Sequence, residues 1–274
     1  MMMNKRFFAY ITCLALLVGC TPRGQTPADL PTRIPSVDAL ETAVIQTQNA
    51  PPVPFNNGVT FPMIDDNLPL LPNWRYEATM RFTGVFSNTP RPVEFEAGLQ
   101  VWFNQLGNQR RTVISGVGEL FGEADGTVLE GVRLGQKTFI VRENTCLTDI
   151  QDELAPLVAD LRAGDLLGGV TFATPGASKG VLNGEEVWRF DITADQLVMP
   201  QVQLGEFGRI ITMTGELWIA PSRNAVIRYY VNLDVENVLI TLFDSTLPLT
   251  GQLFLRYDLN AIGENPNITT PTGC

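Results

Sequence analysis

The sequence contains no histidine among its 274 residues, and this absence excludes several kinds of site. A Ser-His-Asp or Cys-His nucleophile, a histidine metal site and the usual general base near neutral pH all need that side chain. A glycine-rich phosphate loop is also absent, because Gly164–Gly169 lacks the lysine and the spacing of such a loop. We therefore expect a protein that is not an enzyme and that has no cofactor and no metal site.

Basic residues are scarce as well, with 19 Lys and Arg against 29 Asp and Glu and a net charge of −10. Such a balance disfavours nucleic acid as a partner and provides no polybasic patch for anionic lipid. The adjacent carboxylates are interpreted as solvated charge: Asp65-Asp66, Asp152-Glu153 and Glu185-Glu186. A glycosidase that uses two carboxylates is not excluded by the sequence alone, but nothing in the sequence supports one.

Long apolar runs are missing, apart from a short one near the N-terminus. Phe7–Val18 is almost entirely apolar and follows Lys5 and Arg6. The run is shorter than the roughly 20 residues that a membrane-spanning helix needs. A charged flank, a short apolar run and a small residue before the cut are typical of a signal peptide.

The residues that follow narrow this prediction. Leu17-Val18-Gly19-Cys20 resembles the bacterial lipobox, in which the thiol is acylated and the preceding peptide bond is cleaved. An ordinary signal peptide with a chance cysteine, or an apolar anchor, is the alternative. The lipobox predicts a signal peptide over 1–19 and a lipidated Cys20. A Pro-rich tether is predicted over 20–35, and a single domain over 36–274. Two or more palmitate-like chains on Cys20 would hold this domain firmly in the cell envelope, on the extracytoplasmic side of a bacterial membrane.

Cysteine is rare, with four residues in the chain. Cys13 would leave with the signal peptide and Cys20 would carry lipid. Cys146 and Cys274 remain, and in an oxidising compartment they form one candidate disulfide. Two free thiols, or pairing with another molecule, are the alternatives.

From Trp74 onward the apolar residues recur at every second position, which is typical of antiparallel strands with one wet and one dry face. Turns are predicted at 87–91, 106–108, 125–126, 134–136 and 221–224. A helix with Asp152 as its cap and Gly164 as its stop is predicted around Leu154–Leu161. A second helix is predicted over about 13 residues from Ser36, and the apolar, Pro-rich segment 50–73 is predicted to be an ordered loop over the body.

These elements predict a mainly β fold of the α+β type. One large curved antiparallel sheet of nine or ten strands would form a half-barrel, covered on its concave side by two or three helices and a loop. Since two helices cannot cover so wide a sheet, the dry face is predicted either to line a cavity for an apolar molecule or to fill a closed core. The predicted lining residues are Met80, Phe82, Phe95, Leu99, Val101, Phe103, Leu217, Ile219, Ile227, Tyr229, Val231 and Leu233.

This layout resembles the LolA/LolB-like lipoprotein carriers, nearest to lipoproteins of the LppX and LprG type. The local resemblance is strongest in Val181–Phe190, in Gly215–Ile219 and in Ala225–Arg228. The resemblance implies a half-barrel with helices as a lid, which carries acyl chains or lipidated proteins in its cavity, and no catalytic residue. The segment 50–73 departs from the simpler pattern of the family and would block or line that cavity.

Two functions follow as expectations. The first is a monomeric, membrane-anchored lipoprotein that binds a lipid or other hydrophobic molecule in the half-barrel cavity, as a carrier or chaperone. The second is a structural or sensory envelope lipoprotein that binds a protein partner. A cavity filled by the protein's own side chains would favour the second function.

Overall fold

The alternating segments fold into one antiparallel sheet of thirteen strands. The computed structural model describes residues 57–118, 123–147, 151–242 and 247–274. The strands are β1 (Val59–Phe61), β2 (Asn73–Phe86), β3 (Pro92–Asn104), β4 (Gln109–Gly118), β5 (Glu123–Leu134), β6 (Lys137–Arg142), β7 (Thr145–Cys146), β8 (Gly169–Leu182), β9 (Glu185–Asp191), β10 (Leu197–Val198), β11 (Val202–Ala220), β12 (Ala225–Ile240) and β13 (Leu249–Asn260).

The strands are ordered β1-β8-β9-β11-β12-β13-β2-β3-β4-β5-β6-β7, and β10 pairs with β8. Most neighbours in this order are joined by short turns, and the sheet is not closed. The prediction of a mainly β fold built on one large antiparallel sheet is therefore confirmed, and an open sheet of this kind is consistent with a half-barrel. The number of strands was underestimated, because short strands such as β1, β7 and β10 carry too few residues to show a period.

Alternation along the central strands separates a buried face from a solvated one. On β2 the side chains of Met80 and Phe82 are buried, whereas Arg81 between them is exposed. The partner strands continue the pattern, since Leu253 and Leu255 of β13 lie opposite Phe82 and Met80. The buried face of β2, β3, β11, β12 and β13 forms one continuous hydrophobic cluster.

Two α-helices occur in the described part of the chain, α1 (Gln151–Asp160) and α2 (Ala163–Leu167). The helix predicted around 154–161 is confirmed as α1, but its predicted ends were wrong. Asp152 lies inside α1 rather than before it, and Gly164 lies in α2 rather than ending α1. Pro156 consequently stands in the interior of α1, where its missing N–H removes one helical hydrogen bond.

Helix α1 packs on β4, β5 and β6 through a small separate cluster of Ile140, Ala155 and Val158. Gly131 of β5 makes this close approach possible, because a Cβ there would lie 2.6 Å from the backbone nitrogen of Ala159. The Thr112 hydroxyl donates a hydrogen bond of 2.8 Å to the carbonyl of Ala159, which satisfies a carbonyl at the end of the helix.

The structure also tests the predicted turns and the predicted loop. The turns at 87–91, 106–108, 134–136 and 221–224 are confirmed as the links between neighbouring strands. The turn at Asp125-Gly126 was wrong, because both residues lie inside β5, where Gly126 takes a φ of 80° beside an irregularity in the pairing with β4. The helix predicted from Ser36 lies outside the described residues. The ordered loop is confirmed over residues 57–72, where β1 and a short 3-10 helix pack into the core.

Cys146 and Cys274 form a disulfide, with their Cα atoms 5.4 Å apart, so the predicted pairing is confirmed. The bond joins the last residue of the chain to the edge strand β7. Cys13 and Cys20 lie outside the described residues. No helix in the described ranges is long and apolar enough to cross a membrane.

Candidate functional site

The twelve residues predicted to line a cavity lie together on the concave-side face of the sheet. Eleven of them are buried, with exposures of 0 or 1%, and Phe103 is half-buried. Val231 and Leu233 on β12 have 1% and 0% of their surface exposed. Side chains of this kind are part of a packed core rather than the wall of an open groove.

A segment that we call the strap, residues 57–72, covers part of this face. Its apolar side chains belong to the same core cluster: Val59, Phe61, Ile64, Leu68 and Leu71. Pairing of β1 with β8 holds its beginning, and the Trp74 indole N–H donates to the carbonyl of Leu68 at 3.0 Å near its end. The strap therefore covers part of this face, which is one of the outcomes that the sequence predicted for segment 50–73.

Helix α2 lies beside the strap and packs against β2 and β13. Ala163, Leu166 and Leu167 are buried in the core cluster. The backbone N–H of Ile64 donates to the carbonyl of Gly168 at 2.8 Å, which joins the strap to the end of α2. The strap and α2 thus form one cover over the central strands.

Asp65 is the polar centre of this cover. Its carboxylate is 4% exposed and accepts hydrogen bonds from the Arg162 guanidinium at 2.9 Å and from the backbone N–H groups of Ala163 and Gly164 at 3.2 Å each. Gly164 has no Cβ, and a Cβ there would lie 2.8 Å from a carboxylate oxygen of Asp65. The interpretation of Asp65 as solvated charge was therefore wrong, because its charge is buried and fully partnered.

Arg162 also reaches the exposed carboxylate of Asp66 at 3.0 Å. Burial lowers the pKa of Arg162, but the hydrogen bonds and charges of Asp65 and Asp66 outweigh that effect and raise the pKa above its ordinary value. The guanidinium consequently stays charged at every physiological pH.

Three fully buried tyrosines lie beneath this cover. Tyr76 is satisfied, since its hydroxyl accepts the N–H of Ala163 at 3.0 Å. Tyr229 and Tyr257 face each other on β12 and β13, and neither hydroxyl has a hydrogen-bond partner among the described residues. A buried hydroxyl without a partner costs about 1–3 kcal/mol. The period-two pattern of β13, which includes Leu255, would have identified Tyr257 as a core residue, but it could not have indicated the missing partner.

Burial raises the pKa of Tyr76, Tyr229 and Tyr257 above the ordinary value of about 10. The folded protein therefore keeps three phenol protons at a pH at which the unfolded chain releases them. The contribution of these three neutral phenols to the free energy of unfolding is fully present below about pH 10. It should be lost as the pH rises above that value. Urea unfolding from about pH 8 to about pH 11, a range that brackets the ordinary pKa of tyrosine, measures this loss.

The matched control is Tyr229→Phe, which should weaken the dependence on pH by removing one of the three groups. Phenol absorbance provides a second readout. Ionisation of all three rings near pH 10 in the folded protein would show that they are not buried.

The outer face of the sheet is polar and carries several ion pairs. The guanidinium groups of Arg228 and Arg256 lie 5.0 and 5.2 Å from the ring centre of Tyr230, and they pair with Asp258 at 2.7 and 2.8 Å. The Tyr230 hydroxyl donates to the same carboxylate at 2.9 Å. Asp258 is buried, and its carboxylate is compensated by these three partners.

The depressions in the described part of the surface include the following two. One, of about 340 Å³, lies on the outer face of β11, β12 and β13 and is lined by Arg189, Glu216, Tyr230, Asn232 and Phe254 among others. The other, of about 200 Å³, lies between Trp74, Trp102 and the segment after β13. Both are open and mix polar with aromatic side chains, so they differ from the enclosed apolar cavity that the sequence predicted.

The pair Glu185-Glu186 does not converge on a reaction centre. Glu185 pairs with Arg223 at 3.0 Å, whereas Glu186 is exposed. Within the described ranges, no group of three or more acidic or cysteine side chains is placed to hold a metal ion. No protein-family model and no curated protein sequence match this chain, so the resemblance to the LolA/LolB-like carriers stays a hypothesis.

Proposed function

We propose that this protein is an exported, lipid-anchored and non-enzymatic protein of the bacterial cell envelope that acts by binding a protein partner. The charged and apolar pattern of residues 5–18 and the resemblance of Leu17–Cys20 to a lipobox support the export and the anchor. The choice between a lipid in a cavity and a protein partner rests on the packed state of the concave-side face. A preformed acyl-chain cavity would leave its walls accessible, whereas eleven of the twelve expected wall residues are buried.

Val231→Trp tests this choice, because Val231 is 1% exposed and is surrounded by core side chains. In a filled core the larger ring overpacks the site, and the free energy of unfolding should fall by about 1–3 kcal/mol. Urea unfolding measures this change. Asn232→Trp is the matched control, since the neighbouring position is exposed and faces outward. An unchanged stability in Val231→Trp, with loss of fatty-acid uptake, would contradict the proposal.

A lipid carrier or chaperone is the second candidate, and the unpartnered hydroxyls of Tyr229 and Tyr257 favour it. A hydrophobic molecule that entered beneath the strap and α2 would supply an acceptor or a donor for these groups. Entry would require the strap to lift, and the buried contacts of Asp65 oppose that motion.

Native mass spectrometry of the wild-type protein and of Asp65→Ala separates the two candidates. The first candidate predicts bare protein in both samples. Co-purified acyl species in the wild type, or their appearance only when the strap is loosened, would support the carrier. Uptake of a fluorescent fatty acid provides an independent readout.

A further inference from the structure

Three exposed apolar side chains lie close together in sequence at the beginning of β11. Leu204, Phe207 and Ile211 have 56%, 84% and 56% of their surface exposed, and we call them the β11 patch. β11 pairs with β12 along most of its length, but its pairing with β9 covers only Leu217–Ile219. The patch therefore lies on a stretch that has one neighbour among the described strands.

The backbone of this stretch holds Phe207 outside the sheet. The pairing with β12 jumps from Leu204 to Arg209, so that Gly205–Gly208 bulges out. Phe207 has a φ of 60°, a conformation that is strained for an aromatic residue. A Cβ on Gly205 or Gly208 would lie 2.7 or 2.6 Å from the carbonyl oxygen of Asn237, so glycine is required on both sides. The bulge thus presents an aromatic ring at its tip.

We propose that the β11 patch contacts the lipid bilayer that holds Cys20, an inference that rests on the proposed lipid anchor. The 36 residues from Thr21 to Asn56 could span at most about 130 Å when fully extended, so this length allows the bilayer to reach any face of the body. A tether of this kind also keeps the membrane at a high effective concentration. Exposed Phe and Leu side chains gain stability by entering the boundary between headgroups and acyl chains.

A strand from a protein partner fits this stretch less well. The bulges at Gly205–Gly208 and at Ile211 interrupt the edge that such a strand would have to follow. Arg209 is paired with Glu236 at 2.7 Å, whereas Glu206 beside Phe207 is exposed, so the contact has to be shallow enough to keep the Glu206 carboxylate in water. A side chain at the tip of a bulge can enter the interface while its backbone stays hydrated, which avoids unsatisfied polar groups in hydrocarbon.

Tryptophan fluorescence of the full lipidated protein in phosphatidylcholine vesicles tests the proposal. Phe207→Trp should give an added emission that shifts to the blue and is lost when the acyl chains are brominated. Leu106→Trp is the matched control, because Leu106 is 91% exposed in the turn between β3 and β4, at the opposite end of the sheet. The wild-type protein, with its four tryptophans, sets the background.

The anchor has its own readouts, namely the mass of the N-terminal peptide and flotation of the protein with vesicles. An unacylated Cys20 would overturn both the anchor and the membrane contact. Acylated protein in which Phe207→Trp is quenched no more than Leu106→Trp would overturn the β11 patch alone.

Discussion

Replacing Asp65 by alanine is expected to lower the free energy of unfolding by about 3 kcal/mol. The change leaves two buried N–H groups, those of Ala163 and Gly164, without their acceptor. It also removes the main partner of Arg162, although that guanidinium is about one-third exposed and can recover part of its hydration. Asp65→Asn should be milder, because the amide oxygen can still accept one or two of the hydrogen bonds.

Asp66→Ala is the control for this prediction. Asp66 pairs with the same guanidinium at 3.0 Å, but its side chain is exposed and its loss should cost at most about 1 kcal/mol. Urea unfolding of the three variants at neutral pH measures the differences. Equal effects of Asp65→Ala and Asp66→Ala would show that the contact between the strap and α2 is a surface ion pair.

Leu233→Asp should have the largest effect of any substitution considered, a loss of at least about 4 kcal/mol and failure to fold in ordinary buffer. Leu233 is fully buried between Met213 of β11 and Leu253 of β13. A carboxylate placed there would have no donor and no access to water. Far-ultraviolet circular dichroism and thermal unfolding report the outcome.

Asn232→Asp isolates the cause, because it introduces the same carboxylate one residue away on the exposed face. That variant should stay within about 0.5 kcal/mol of the wild type. A folded Leu233→Asp protein with near-native stability would mean that the concave-side face is open to water. The carrier would then replace the partner-binding protein as the better proposal.

Much of the sheet could be predicted from short-range pattern. On β2 and β3 the alternation of residues such as Phe82, Arg81 and Phe95 assigns each side chain to one face, because a strand has a period of two residues. The disulfide between Cys146 and Cys274 was predicted from a count of the cysteines that would remain after the predicted cleavage and lipidation. The predicted lining residues share one face for the same reason as the strands themselves.

The apolar residues of segment 50–73 predicted an ordered loop over the body, but the contacts of the strap could not be predicted in this way. Asp65 and Asp66 are identical in the local pattern, yet one is buried and the other is exposed, because only the position of Arg162 and α2 distinguishes them. Gly164 appeared to be a helix stop, whereas its role is to let the backbone approach Asp65. The exposed tip at Phe207 interrupts the period of β11 and left no periodic signal.

The sequence alone determined the strand alternation and the absence of histidine chemistry, since each depends on neighbouring residues or on composition. It offered the bond between Cys146 and Cys274 as one of several alternatives, and the structure shows that bond. The tertiary structure decided what covers the hydrophobic face of the sheet. Whether apolar side chains line a void or fill a core depends on how segments distant in the chain pack together. Periodicity within one segment contains no information about that packing.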